Sequence, residues 1–168
     1  MYTLTPARME ELERCLQIIE DGRAFQQEQG FTQWTGDYPN REILRQDIES
    51  GKGYAVRQGQ KITGYLCLDF DGEPAYREIQ GQWRSGEPYA VVHRMAFSRE
   101  FRGKGLTGTA FGLIEQLCRE AQIRFIRVDT DFPNRRMQHL LVKNGFVKCG
   151  VVVFQGSGKL AYDKILAP

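Results

Sequence analysis

At 168 residues, with 41% hydrophobic and 26% charged residues, the chain has the makeup of one ordinary globular domain large enough to bury a core. Its formal net charge of +2 is too small to indicate a nucleic-acid or membrane-surface partner, and no apolar run approaches the ~20 residues of a membrane span. Cys15, Cys67, Cys118 and Cys149 are far apart, with no C-x-x-C pair and no histidine at ligand spacing, so neither a metal site nor a disulfide framework is indicated and buried free thiols are expected.

Tyr2 to Leu4 predicts a short strand, and Thr5-Pro6 supplies a capping residue and a proline for the first position of a helix. Met9, Leu12, Leu16 and Ile19 then recur at helical spacing, predicting an amphipathic helix to about Ala24. Gln26 to Gly36 reads as loop. Trp34 and Tyr38 follow beside turn residues, and either pin that loop to the core or form a wall of a substrate pocket. Asn40 can cap a second helix carrying Ile43, Leu44 and Ile48.

Gly53 to Arg57 and Ile62 to Phe70 are strand-like runs joined by Gln58-Gly59-Gln60, a hairpin signal. Asp71 to Pro88 breaks the pattern with Gly, Pro and charges, and holds Tyr76 and Trp83. It is either a lid over substrate or a surface decoration packing its own aromatics. Tyr89 to Phe97 predicts a strand with Val91, His93, Met95 and Phe97 on one face and Val92, Arg94 and Ala96 on the other. A helix from near Thr107 has the apolar stripe Phe111, Ile114, Leu117 and Cys118. Phe125 to Val128 is a strand and Asn134 to Lys143 a helix that Gly145 terminates. Val147 to Phe154 and Leu160 to Ile165, joined by Gln155 to Gly158, form a last hairpin. No repeat or linker interrupts residues 1–168, which predicts a single domain.

Between the strand ending at Phe97 and the helix near Thr107 lies Arg102-Gly103-Lys104-Gly105-Leu106-Thr107-Gly108. Glycines let backbone N–H groups converge, and the first N–H groups of a helix lack intrahelical partners, so a strand, a glycine-rich loop and a helix start make an anion cradle. A P-loop is excluded, because Thr109 and Ala110 stand where Lys and Ser/Thr are needed. The dinucleotide fingerprint G-x-G-x-x-G is spelled by Gly103, Gly105 and Gly108, with Asp129 about twenty residues on. Against it, polar residues Ser98 to Arg102 separate strand from loop, and hairpin-like segments precede the unit.

More residues fit a third reading. Arg102-Gly103-Lys104-Gly105-Leu106 resembles the R/Q-x-x-G-x-G/A acyl-CoA loop of the GNAT (GCN5-related N-acetyltransferase) superfamily, with Thr107 in place of the second small residue. Asn134-Arg-Arg-Met137-Gln-His-Leu140-Leu141-Val-Lys143-Asn-Gly145-Phe146 resembles that family's N-x-x-A-x-x-L-Y-x-K-x-G-F stretch. The resemblance covers nearly the whole chain. It implies an α/β (α+β) fold with a mixed, mostly antiparallel central sheet flanked by helices, and a splayed parallel strand pair ending near Phe97 and Val128. It implies acetyl-CoA as cofactor, with its diphosphate on the backbone of Arg102 to Gly108 and its pantetheine arm beside Met95, Ala96 and Phe97. It also implies that the first two helices and their loop flank the acceptor site, so Trp34 and Tyr38 are expected substrate contacts, and Trp83 joins them where the insertion is a lid over substrate.

Acetyl transfer to an amine needs an anion cradle, a donor for the developing oxyanion and a neutral nucleophile. Backbone N–H groups around Met95 to Phe97 are the implied oxyanion donors. A lysine-like amine is mostly protonated at neutral pH, so its proton must be removed. His93 is the first candidate base, because histidine titrates near neutrality; a hydrogen-bonded core histidine is the alternative, and Glu73, Glu78 and Glu87 are further carboxylates within reach of the same role. Many family members protonate the departing thiolate with a tyrosine, and the matching position here is Leu141. Asn134 either anchors the cofactor arm or caps its helix. Lys104, Arg99, Arg135, Arg136 and Lys143 are charges that either meet nucleotide phosphates or stay solvated. Asp129 and Asp131 alone do not make a metal pair.

The reading is a cytoplasmic N-acetyltransferase acting by direct transfer to a small-molecule or peptide amine, with no nucleic-acid or membrane partner. The rivals are a non-catalytic acyl-CoA-binding or sensing domain and a nicotinamide-binding oxidoreductase. The acceptor and oligomeric state stay open, and the resemblance allows a homodimer.

Overall fold

The structure, a computed structural model, describes residues 1–168 as four α-helices and eight strands, the mixed α/β fold that was expected. The strands follow the hydrogen-bonded order β1-β2-β3-β5-β6-β8-β7-β4, mostly antiparallel with one parallel pair, β5 and β6. Here β1 is Tyr2–Pro6, β2 Gly53–Gln58, β3 Lys61–Asp69, β4 Gln80–Gly81, β5 Ala90–Phe97, β6 Phe125–Thr130, β7 Val147–Phe154 and β8 Ser157–Ile165. The helices are α1 Leu12–Glu28, α2 Arg41–Glu49, α3 Leu106–Glu120 and α4 Arg135–Lys143. The chain divides into two compact units, one of residues Met1–Leu68 with His93–Ile114, the other of Asp69–Val92 with Glu115–Pro168.

In the first unit, β1, β2 and β3 form an antiparallel meander. Pro6 does not open a helix as its sequence context suggested. It ends β1 opposite Tyr54, where a strand end needs no further ladder donor. The helical segment opens later, with a 3-10 turn at Met9–Glu11 in which the Glu11 carboxylate accepts the Arg8 N–H at 2.9 Å. Helix α1 runs four residues past Ala24 because polar side chains continue its buried stripe. Arg23 donates to Thr35 O at 2.8 Å and Pro39 O at 2.6 Å, and Gln26 Oε1 accepts the Trp34 N–H at 2.9 Å. These bonds hold the connection to α2, which Asn40 caps by accepting the Ile43 N–H at 2.9 Å. Ile18, Ile19, Leu44, Ala55 and Tyr65 fill the core of this unit, with Trp34 among them.

Glu11 also takes a bidentate grip from Arg57, at 2.6 and 2.9 Å. Hydrogen bonding from Arg57 is the main cause that lowers the Glu11 pKa from 4.5 to about 2. A carboxylate whose pKa is depressed by folding stabilises the fold above its unfolded pKa and loses that contribution as pH falls through the folded one. Stability is therefore expected to decline between about pH 4.5 and pH 2 through this pair. Urea unfolding across that window should show a shallower decline in Arg57→Gln; an equal slope in both proteins would remove Glu11 as the cause.

In the second unit, β6, β8 and β7 are antiparallel neighbours, and the start of β5 pairs in parallel with β6 through Ala90↔Ile126 and Val91↔Arg127. Strand β6 runs to Thr130, opposite Leu160. The last hairpin turns over Gln155 and Gly156 alone, at φ 55° and 78°, so β8 starts at Ser157 rather than Leu160. Two successive positive φ values make the turn that matches the twist of its strands. Residues 71–88 contribute a 3-10 turn, Pro74–Arg77, and β4, which pairs with β7. The insertion packs its own aromatics: Tyr76 lies 5.2 Å from Trp83 and 6.4 Å from Tyr89 between ring centroids.

All four cysteines are free, and Cys15, Cys67 and Cys118 are buried while Cys149 is half-buried. Burial pushes the thiols of Cys15 and Cys118 up to about 12, which keeps them protonated and inert.

Candidate active site

Strand β5 hands over to the glycine loop through Ser98, whose N–H donates to Thr63 O at 2.8 Å, and a 3-10 turn at Arg99–Phe101. Arg102 anchors the loop on α1. Its guanidinium stacks 4.3 Å from the Phe25 ring centroid, with Nη1 on Glu28 at 2.9 Å and Nη2 on Asp21 O at 2.8 Å. Leu106, 4% exposed, pins the first turn of α3, and the Gly105 carbonyl accepts the Thr109 N–H at 3.3 Å.

Gly103 and Gly105 stand at φ 73° and 71°, the left-handed region that other residues enter at a cost. A Cβ built at either glycine would meet nothing within 4 Å. Protein packing therefore does not demand glycine here; backbone conformation does. Two left-handed glycines with open space beside them stand just ahead of α3, whose first-turn N–H groups lack intrahelical partners and can meet an anion. Lys104 lies with Nζ 5.0 Å from the Phe101 ring centroid, on the same loop.

Upstream, β5 does not keep the regular alternation expected through residue 94. Arg94 has φ 53°, a rare value for a long side chain within a strand, which interrupts the extended backbone between His93 and Met95. The Arg94 side chain turns inward and forms a bidentate ion pair with Asp47 of α2, Nε to Oδ2 at 2.9 Å and Nη2 to Oδ1 at 2.7 Å. Tyr65 donates its hydroxyl to Asp47 Oδ2 at 2.7 Å, and Arg94 Nη1 donates to the Tyr38 hydroxyl oxygen at 2.8 Å. Burial is the largest single influence and works against the Arg94 charge, but hydrogen bonding to Asp47 and the charges of neighbouring groups together outweigh it, and its pKa lies above the ordinary value. Burial, and then the Asp47 charge, push the Tyr65 hydroxyl far up.

His93, Met95, Ala96, Phe97, Arg102 to Gly108, Trp34 and Tyr38 all fall in the first unit. Trp34 is only 7% exposed and packs beside Gly22 of α1, where an added Cβ would stand 2.9 Å from the indole and from the Ala96 methyl. Tyr38 is half-buried on Arg94, and His93 and Met95 are half-buried on β5. Phe97 lies over Gly64 of β3, where a Cβ would come within 2.6 Å of its ring.

Asn134 and Trp83 belong to the second unit. Asn134 caps α4, accepting the Met137 N–H at 3.1 Å. Leu141 is 1% exposed, and its carbonyl accepts the Phe146 N–H while Gly145 bonds Val142, the paired closure that ends a helix on glycine. Leu141 is thus a core residue with no proton to give. Trp83 Nε1 donates to Tyr76 O at 2.9 Å, and the Arg127 guanidinium lies 4.4 Å from the Trp83 ring and 3.8 Å from that of Tyr89. Tyr76, fully buried, donates its hydroxyl to Asp129; burial, then that charge, hold its pKa well above 10.0.

Sequence reading missed the Asp47–Arg94–Tyr65 network. Its one signal was Asp47 itself, which follows Leu44 by three residues and precedes Ile48, an acid on the apolar stripe of α2. A buried carboxylate at such a position calls for a cation elsewhere in the chain.

The chain is 32% identical to a GNAT-family acetyltransferase from Streptococcus agalactiae 2603, covering 99% of this chain and 96% of that one with a TM-score of 0.89. It shares its fold with AAC(6')-Ib, solved in complex with ribostamycin and coenzyme A, at 17% identity and a TM-score of 0.71 over 98% of this chain and 93% of that one. A stretch of 44 residues is 36% identical to the photosystem II reaction center Psb28 protein of Gloeothece citriformis (strain PCC 7424), spanning 26% of this chain and 40% of that protein. The model of the acetyltransferase (GNAT) family matches residues 10–146, and the chain therefore belongs to that family, with acetyl-CoA as its co-substrate.

Proposed function

We propose that this protein is an N-acetyltransferase that moves the acetyl group of acetyl-CoA directly to a primary amine on a small molecule or peptide. The observation that carries the reading is the loop from Arg102 to Gly108, with two left-handed glycines and nothing within 4 Å of a Cβ at either, at the start of α3. Acetyl-CoA supplies an activated acetyl group, whose transfer breaks the C–S bond and forms a C–N bond.

The residues of the chain take distinct parts. Backbone N–H groups of Gly103, Lys104, Gly105, Leu106, Thr107 and Gly108 hold the diphosphate, and Asn134 contributes its amide to the cofactor arm while capping α4. The main chain of Met95, Ala96 and Phe97 orients the thioester and donates to its carbonyl oxygen as negative charge builds there. His93 takes the proton from the attacking amine. Tyr38 and Trp83 contact the acceptor, and Trp34 presents its small exposed fraction to it. With Leu141 in the core, the thiolate leaves without a tyrosine acid at that position; a thiol of pKa near 8.5 is a fair leaving group near neutrality. The family match spans parts of both units, which supports reading residues 1–168 as one acetyltransferase domain. No helix is long and apolar enough to cross a membrane; a cytoplasmic setting, no nucleic-acid partner and a homodimer complete the reading, and sedimentation velocity tests the dimer.

The test is to follow free thiol while purified protein meets acetyl-CoA and a panel of amines. Acceptor-dependent thiol release is the expected result; tight acetyl-CoA binding without it would make the protein an acyl-CoA-binding domain. In His93→Ala the limb of the rate that rises with pH should be depressed, because a base acts only when deprotonated, with acetyl-CoA affinity kept. An unchanged pH profile returns His93 to a structural role.

A further inference from the structure

We infer that Arg94 and Asp47 are positioning residues for acetyl transfer, a clamp that holds β5 in the strained turn which aims the N–H groups of Met95 to Phe97. The inference rests on the reading of those N–H groups proposed above.

Four observations meet at one side chain. Arg94 is the only residue of β5 at positive φ, 53°, in the middle of a strand. An L-residue is held there only where its surroundings over-determine it, and such strain gathers at functional positions. What over-determines it here is two parallel charge-assisted bonds to Asp47, with side chains 11% and 8% exposed. Asp47 is itself fixed by the Tyr65 hydroxyl, and lies one turn along α2 from buried Leu44, on a helix whose position the core sets. Rotating a backbone by one left-handed residue redirects the N–H groups that follow, which are those of Met95 and its successors.

The same guanidinium donates to Tyr38, which lies on the connection that Arg23 ties down. The clamp therefore joins a proposed acceptor contact to the strand that would hold the thioester. An acceptor that moves Tyr38 removes one of the bonds on the Arg94 side chain.

Single substitutions are expected to cost folding, so the test uses a pair. Replacing both partners with apolar residues of similar size, Asp47→Leu with Arg94→Met, removes the clamp without leaving a buried charge, and such exchanges are often neutral for stability. Amide spectra of the folded double variant and wild type are compared on titration with acetyl-CoA and with coenzyme A. In wild type, both ligands should move the Gly103 and Gly105 amides, and acetyl-CoA should move amides among Met95, Ala96 and Phe97 further than coenzyme A does. The double variant should keep the first response and lose the second. With any amine that wild type acetylates, kcat should fall about 10²-fold with KM for acetyl-CoA unchanged. In the Asp47→Leu background, where no buried carboxylate is left unpaired, Arg94→Gly, which tolerates the left-handed backbone, should retain more kcat than Arg94→Ala.

Acetyl-specific shifts that persist in the double variant, or Gly and Ala variants of equal kcat, would overturn the clamp while leaving the cradle in place. Gly103 and Gly105 amides that ignore both ligands would instead remove the cradle reading, and the clamp with it.

Discussion

Gly105→Val is expected to weaken acetyl-CoA binding by about two orders of magnitude, the largest effect of any single loop substitution. The residue sits at φ 71°, where an L-side chain costs ~1–2 kcal/mol, and a β-branched one costs more. If the backbone holds its conformation, the valine branches enter space that is now empty to at least 4 Å and obstruct the ligand. If it relaxes instead, the N–H groups at the start of α3 rotate away from the anion. Either path loses binding, and about 1.4 kcal/mol per decade puts the strain alone near tenfold. Gly105→Ala should show roughly that smaller loss. Calorimetric titration with coenzyme A reads both, and affinities equal to wild type would mean that the diphosphate lies elsewhere.

Asp47→Ala is expected to lower stability by ~3–5 kcal/mol, the usual cost of leaving one partner of a buried ion pair uncompensated. Arg94 would keep only its bond to Tyr38, and the Tyr65 hydroxyl would lose its acceptor. For a chain of this length, ~2–4 °C per kcal/mol turns that into a melting point lower by roughly 6–20 °C. Asp47→Ala must lose far more than a rim pair such as Arg41–Glu13, whose side chains are 55% and 69% exposed. A thermal shift as small as that of Glu13→Ala would show that Arg94 finds another anion.

The sequence marked some elements clearly because their signals are local. Helix periodicity in α1 and α3, the Asn40 and Asn134 caps and the glycine after α4 depend on neighbours within a turn or two, so they can be read without knowing the fold. The glycine loop was legible for the same reason: two glycines ahead of a helix start are a backbone statement, and the structure places both at positive φ. Where the reading erred, a distant partner had intervened. Pro6 belongs to a strand because Tyr54 pairs with it. Helix α1 outruns its apolar pattern because Arg23 and Gln26 bury polar groups against the chain from Trp34 to Pro39. Strand β5 breaks step at Arg94 because Asp47, forty-seven residues earlier, receives its side chain.

By itself, then, the order of residues determined most of the helices and hairpins, the glycine loop ahead of α3 and, through two short motifs, the family. Tertiary structure alone decided that Trp34 packs in the core, that Leu141 has a structural place, and that Asp47, Tyr65, Arg94 and Tyr38 form one network. The division has a physical cause. Backbone conformation and capping are settled over a few residues, whereas a buried charge is tolerable only beside a partner that folding brings to it, and no spacing along the chain records that meeting.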